Sequence, residues 1–173
     1  LAGGAGAQAY AVPITGATKA YELEGYSVQP PPGKNWFEME RAKQKVLFGK
    51  RIESRTHSFA ATAASGQIDE TFETREQFRE YVNRTRVADL GSERYKMLEF
   101  SSDFDPAFPA WCVRYRAKTE DRAAPYAPGR VLEVEHTGVT CLHPTIPDLL
   151  VDVGYSERGR RAESSPELRG EGE

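Results

Sequence analysis

The chain has 173 residues, room for one domain with a real hydrophobic core. Its 23 Lys and Arg stand against 26 Asp and Glu, a formal net charge of −3 with no basic cluster, which argues against a nucleic-acid partner. No run approaches the ~20 apolar residues of a membrane-spanning segment.

Residues 1–20 carry no sustained period and read as a flexible segment. Within them, Leu1-Ala-Gly-Gly-Ala-Gly-Ala-Gln-Ala9 is small and uncharged, and Ala7-Gln8-Ala9 has the A-x-A form of a signal-peptidase site. Leu1 is an unusual opening residue, so an apolar leader is expected upstream. The opening Leu-Ala-Gly also looks like a lipobox, but Gly4 stands where the lipidated cysteine would be. These features predict export to the periplasm or cell envelope; a plain Ala/Gly-rich terminus is the alternative.

From Tyr21 short segments alternate apolar and polar residues, the period of half-buried strands. Tyr21-Glu-Leu-Glu24 and Tyr26-Ser-Val28 lead into Gln29-Pro-Pro-Pro-Gly33, a firm break because proline cannot donate to a ladder. Trp36 to Glu40, Lys45 to Ile52 and His57 to Ala63 follow as strands. Thr74-Arg-Glu-Gln77 fits a capping box, and Phe78, Tyr81 and Val82 then form one helical stripe, predicting a helix from about Thr74 to Val87. Tyr95 to Phe100 reads as a strand and Ser101 to Pro109 as a loop. Two longer strands, Trp111 to about Arg122 and Arg130 to about Leu142, precede a last one from Leu149 to Tyr155. Residues 156–173 are rich in Gly, Glu, Arg and Ser and read as a disordered tail. The fold class expected is α+β: a mostly antiparallel sheet with one main covering helix, forming a single domain over residues 21–155.

Cys112 and Cys141 are the sharpest feature. They lie nearly equidistant from the turn Ala123-Ala-Pro-Tyr-Ala-Pro-Gly129. If they face each other across an antiparallel hairpin, Val113 faces Thr140 and Lys118 faces Glu135. Trp111, Val113, Tyr115, Leu132, Val134 and Leu142 then share one face; Arg114, Arg116, Lys118, Glu133 and Glu135 share the other. A one-residue slip would set apolar against charged side chains, which register selection opposes. The register favours a cross-strand disulfide, with Cα atoms inside the ~4.4–6.8 Å such a bond allows. Two reduced buried thiols, or a soft metal site of Cys112, Cys141 and His143, are the other readings.

Other candidate chemistry is sparse. Asp103 and Asp105 flank Phe104 without the spacing or glycine of a calcium loop. His57 and His136 read as strand histidines satisfied by neighbours. No nucleotide-binding, hydrolase or zinc-protease motif occurs, and Asn83-Arg-Thr85 matches a glycosylation sequon only inside the predicted helix. No catalytic residue and no cofactor is expected. The aromatic and proline-rich stretch with Tyr26, Trp36 and Phe37 is the candidate partner surface, since aromatics beside rigid prolines anchor interfaces at low entropic cost.

The residues Gly25-Tyr-Ser-Val-Gln-Pro-Pro-Pro-Gly-Lys-Asn-Trp36, Val46-Leu-Phe-Gly-Lys50 and Thr74-Arg-Glu-Gln-Phe78 resemble the PsbP-like domain, over about residues 21 to 90. The chain also looks like uncharacterised bacterial envelope proteins with segments such as Cys141-Leu-His-Pro144 and Tyr155-Ser-Glu-Arg158. The PsbP-like domain's closing helix has no counterpart in Ser164 to Glu173. The resemblance implies a non-enzymatic accessory or assembly factor binding a protein partner, a membrane complex included. A small hydrolase or thiol-dependent enzyme is the rival class, and a metal-binding protein the third.

Overall fold

The computed structural model of the protein describes residues 12–14, 20–54, 56–108, 111–125 and 127–159. Among the described residues, ten strands and one helix run in the order β1 (Val12–Pro13), β2 (Tyr21–Leu23), β3 (Tyr26–Val28), β4 (Trp36–Arg41), β5 (Lys45–Lys50), β6 (Ser58–Gln67), α1 (Arg75–Leu90), β7 (Tyr95–Phe104), β8 (Cys112–Asp121), β9 (Leu132–Leu142) and β10 (Leu149–Gly159). Eight of the strands form one sheet in the spatial order β1-β4-β5-β6-β10-β9-β8-β7, with every neighbour antiparallel. The last strand, β10, lies in the middle, and β2 and β3 make a separate hairpin.

The two faces are covered at different ends. On one face, α1 lays Phe78 and Val82 on Val113 and Leu150, with Trp111, Leu142 and Phe104 packed around them. On the other, the β2–β3 hairpin sets Leu23 against Trp36, Val46, Phe48, Phe59 and Ala63. Each cover reaches only part of its face, so the sheet keeps open stretches on both sides. Tyr115, on the helix face, lies over Gly138 and Gly154; a Cβ on Gly154 would stand 3.1 Å from its hydroxyl. Glycine at both positions makes room for that ring.

The helix begins as the capping box requires. The Gln77 amide donates to Thr74 Oγ1 at 3.2 Å, and Gln77 Oε1 accepts from the Thr74 and Glu73 amides at 3.3 and 2.8 Å. Thr74→Ala removes one half of this exchange and should lower stability by about 0.5–2 kcal/mol, read as a lower denaturant midpoint at unchanged slope.

The expected α+β class is corrected. Strand takes up 51% of the structure against 12% for helix, so the fold is sheet-dominated. The physical reason is that a 16-residue helix covers only part of one face, and a β-hairpin, not a second helix, covers part of the other. Boundaries also move: β6, read as ending at Ala63, continues to Gln67, and α1, read to about Val87, continues to Leu90. β7 continues through Ser101–Phe104, read as loop; β10 continues through Ser156–Gly159, read as tail; and β1, inside the segment expected to be flexible, pairs with β4. The Ala7–Ala9 site and residues 160–173 lie outside the described residues.

Candidate functional site

The open stretch on the hairpin face becomes a groove because of how the chain leaves β3. Pro30, Pro31 and Pro32 cannot join a ladder, so the segment stands away from the sheet. Gly33 (φ 94°) and Asn35 (φ 68°) turn it back in the left-handed region, and Trp36 Nε1 donates to the Pro32 carbonyl at 2.9 Å, pinning the loop. The hairpin is itself seated closely: a Cβ on Gly25 (φ 87°) would meet Leu149 Cδ2 at 2.6 Å. Val28 and the three prolines thus roof a groove of about 610 Å³ floored by Ala61, Ala63, Val139, Val151 and Val153. Val153 is 44% exposed on this floor. Arg114 stands at the polar margin, where its Nε donates to Asp105 Oδ2 at 2.8 Å. Size and lining are those of a cleft that takes an apolar ligand or chain segment.

The cysteine pair lines this groove on the side of Cys141. Cys112 and Cys141 are register partners, and Val113 faces Thr140 and Lys118 faces Glu135 as the sequence reading requires. The sulfurs form a disulfide, with Cα atoms 4.1 Å apart, slightly closer than the expected span. That bond leaves no thiolate for a metal or for thiol chemistry. His143 serves another purpose: its Nδ1 accepts from the Ile146 and Thr145 amides at 2.8 and 3.2 Å, so Nε2–H donates to the Gly25 carbonyl at 2.9 Å. The histidine holds the β9–β10 loop to the β2–β3 hairpin.

Two of the three aromatic candidates, Trp36 and Tyr26, share the core beneath the hairpin, and Phe37 lies apart from them. Trp36 is buried at 2% exposure beneath the hairpin. Tyr26 packs against the same core, its hydroxyl buried without a hydrogen-bond partner, and burial raises it to about 12. Phe37 faces the opposite side of the sheet, as its odd spacing from Trp36 dictates. The prolines between them form the surface instead.

The isolated histidines are satisfied from afar. His57 Nε2 and Glu157 Oε1 meet at 2.7 Å, both buried. His136 Nε2 lies 3.2 Å from Thr119 Oγ1, and burial lowers the imidazole to about 4, so it is neutral at neutral pH. Asp105 accepts from the Ala107 amide and from Arg114, which together hold its carboxyl below the usual range, while Asp103 reaches Arg79 at 3.7 Å; the two acids do not converge. Asn83, in α1, has its side chain against Ser102 Oγ.

Sequence reading missed a cluster at the far end of the sheet. Asp121, fully buried, accepts from Arg94 Nε and Nη2 at 2.8 and 2.7 Å, from Arg158 Nη1 at 3.1 Å and from the Ala123 amide at 3.1 Å. Its signal was an acid at a face position predicted to be apolar.

The fold and groove define a sheet-dominated domain with an open, proline-roofed apolar cleft, stapled by one disulfide; among the described residues no helix is long and apolar enough to cross a membrane. No protein-family model and no curated protein matches the chain. Among solved structures it is similar to the Ran-binding protein Mog1p of Saccharomyces cerevisiae, at 12% identity and a TM-score of 0.41 over 89% of this chain and 83% of that one. At that distance the likeness carries neither fold nor function across.

Proposed function

We propose that this chain is a non-catalytic accessory module of the cell envelope that binds a protein partner by taking an extended apolar segment of it under Pro30–Pro32. The observation that carries this reading is the groove: rigid prolines above, and valines and alanines below with Val153 left open, in the middle of the sheet. A preformed proline wall loses little entropy on binding. The PsbP-like resemblance supports the same reading, because its stretch Gly25–Trp36 supplies β3 and the roof. Export is supported by the disulfide, which oxidising compartments preserve.

Photocrosslinking from a reactive residue placed at Val151, with native membranes as the source, tests this. One envelope protein should be captured by the wild-type groove and lost with Val153→Arg, and panels of ester, phosphate and peptide substrates should show no turnover. Turnover abolished by changing a single His or Asp, or capture that survives Val153→Arg, would overturn it.

A further inference from the structure

The helix face carries a second opening, unrelated to the proline-roofed groove, and its lining has a definite chemical character. Register places Phe37, Gly49, Ala60, Ser156 and His136 in one row across β4, β5, β6, β10 and β9. The next row holds Ser58, Arg158 and Val134. Helix α1 packs mainly on β7 and β8, and on β10 at Leu150 and Asp152. Ala60, Ser58 and Ser156 are too small to fill the space above them. Phe37 and Met39 lean over Gly49, where a Cβ would meet the Met39 sulfur at 2.7 Å and Phe37 Cζ at 2.8 Å, and so form one wall. Pro125, Pro128 and Tyr95 form the other, enclosing a trough of about 980 Å³.

Charge in this trough runs against that of the chain. The protein has more acids than bases, yet the described residues lining the trough include Arg51 and Arg158 and no carboxylate, while Lys50 Nζ lies over Trp36 and His57 is bonded to Glu157. Asp121, the buried acid bonded to Arg158, is already matched by the two-pronged bond from Arg94, and the buried Glu157 is bonded to His57, so Arg158 brings surplus positive charge. Its Nε is buried without a hydrogen-bond partner. The hydroxyls of Ser58 and Ser156 flank it across the register, donors of the kind that complete an oxyanion's shell beside a guanidinium.

We infer that this trough binds a small organic anion with a flat aromatic body, the ring lying on Ala60 between Phe37 and Tyr95 and the anionic group turned toward Arg158, Arg51 and the two serines. A flat body fits because the floor is a sheet surface of small side chains between aromatic and proline walls. An anion fits because the charge of Arg51 and the surplus at Arg158 line a trough without carboxylates, and an inorganic ion alone would leave its apolar walls wet.

The probe is 1-naphthalenesulfonate, titrated calorimetrically against the neutral analogue 1-naphthalenemethanol with the full chain. The sulfonate should bind at least about tenfold more tightly than the alcohol, a difference of charge-assisted over neutral hydrogen bonding. Arg158→Gln is the obvious variant but also disturbs Asp121, so two others carry the test. Arg51→Gln should weaken the sulfonate severalfold and leave the alcohol unchanged, and Ala60→Leu, filling the floor, should weaken both at least about tenfold with the thermal midpoint kept. Val153→Arg, on the opposite face, should change neither. Equal binding of the two probes, or sulfonate binding that survives Ala60→Leu, would overturn the inference without touching the proline-roofed groove; a loss with Val153→Arg would place the probe in that groove instead and overturn it equally.

Discussion

Replacing both cysteines, Cys112→Ala with Cys141→Ala, should cost about 3–4 kcal/mol of stability. The bond closes a sequence separation of 29 residues, and in the chain-entropy picture that closure removes freedom mainly from the unfolded state. The folded side should lose little, because the two strands are already paired from Cys112–Cys141 to Asp121–Leu132 and the hairpin is shared with β7 and β10 on either side. The double variant should therefore keep its fold, with a thermal midpoint lower by on the order of 10 °C. Thiol titration of the denatured, unreduced wild type should find no reactive sulfhydryl. A loss below about 1 kcal/mol would mean that the unfolded chain retains the β8–β9 hairpin without the bond, so that the cross-link constrains nothing.

The same hairpin shows what local pattern can and cannot say. Its register was legible because alternation has a period of two: once Cys112 faces Cys141, every other pair follows, and Lys118 does stand by Glu135 at 3.9 Å. The helix start was legible for a similar reason, since a capping box is complete within four residues. The ends of β7 and β10 were not. Ser101, Ser102 and Asp103 have no strand propensity; they are extended because Arg116, Tyr115 and Arg114 of β8 pair with them. Glu157 and Arg158 look like tail residues until their partners are known, and those partners, His57 and Asp121, lie 100 and 37 residues away. The position of β10 between β6 and β9, which builds the floors of both openings, is likewise a long-range fact with no local trace. One signal was present and unused: Trp36 and Phe37 are consecutive in a strand, so they had to face opposite sides and serve different surfaces.

Asp121→Asn should lower stability by about 2–3 kcal/mol at pH 7. The carboxylate joins three segments: Arg94 from the α1–β7 connection, Arg158 from β10, and the Ala123 amide beyond β8. An asparagine of the same shape presents an N–H₂ where Arg94 needs an acceptor, so one prong of the fork meets a donor and the guanidinium loses its counter-charge. Arg94 and Arg158 keep 36% and 22% of their side chains exposed, and water screening holds the cost below the 3–5 kcal/mol of a fully buried pair. The pH dependence follows from the direction of the shift. Arg94 holds the Asp121 carboxyl below its ordinary value, with the Ala123 amide and Arg158 adding to it against the cost of burial. A depressed acid contributes its stability above the unfolded-state value, about 4, and loses it as pH falls through the lower folded-state value. The gap between wild type and Asp121→Asn should therefore be full at pH 6–7 and shrink below about pH 4. Denaturant midpoints of the two proteins across that range decide the matter: a gap that is absent at pH 7, or that fails to close in acid, would remove Asp121 as the charged tie between β8, β10 and the helix exit.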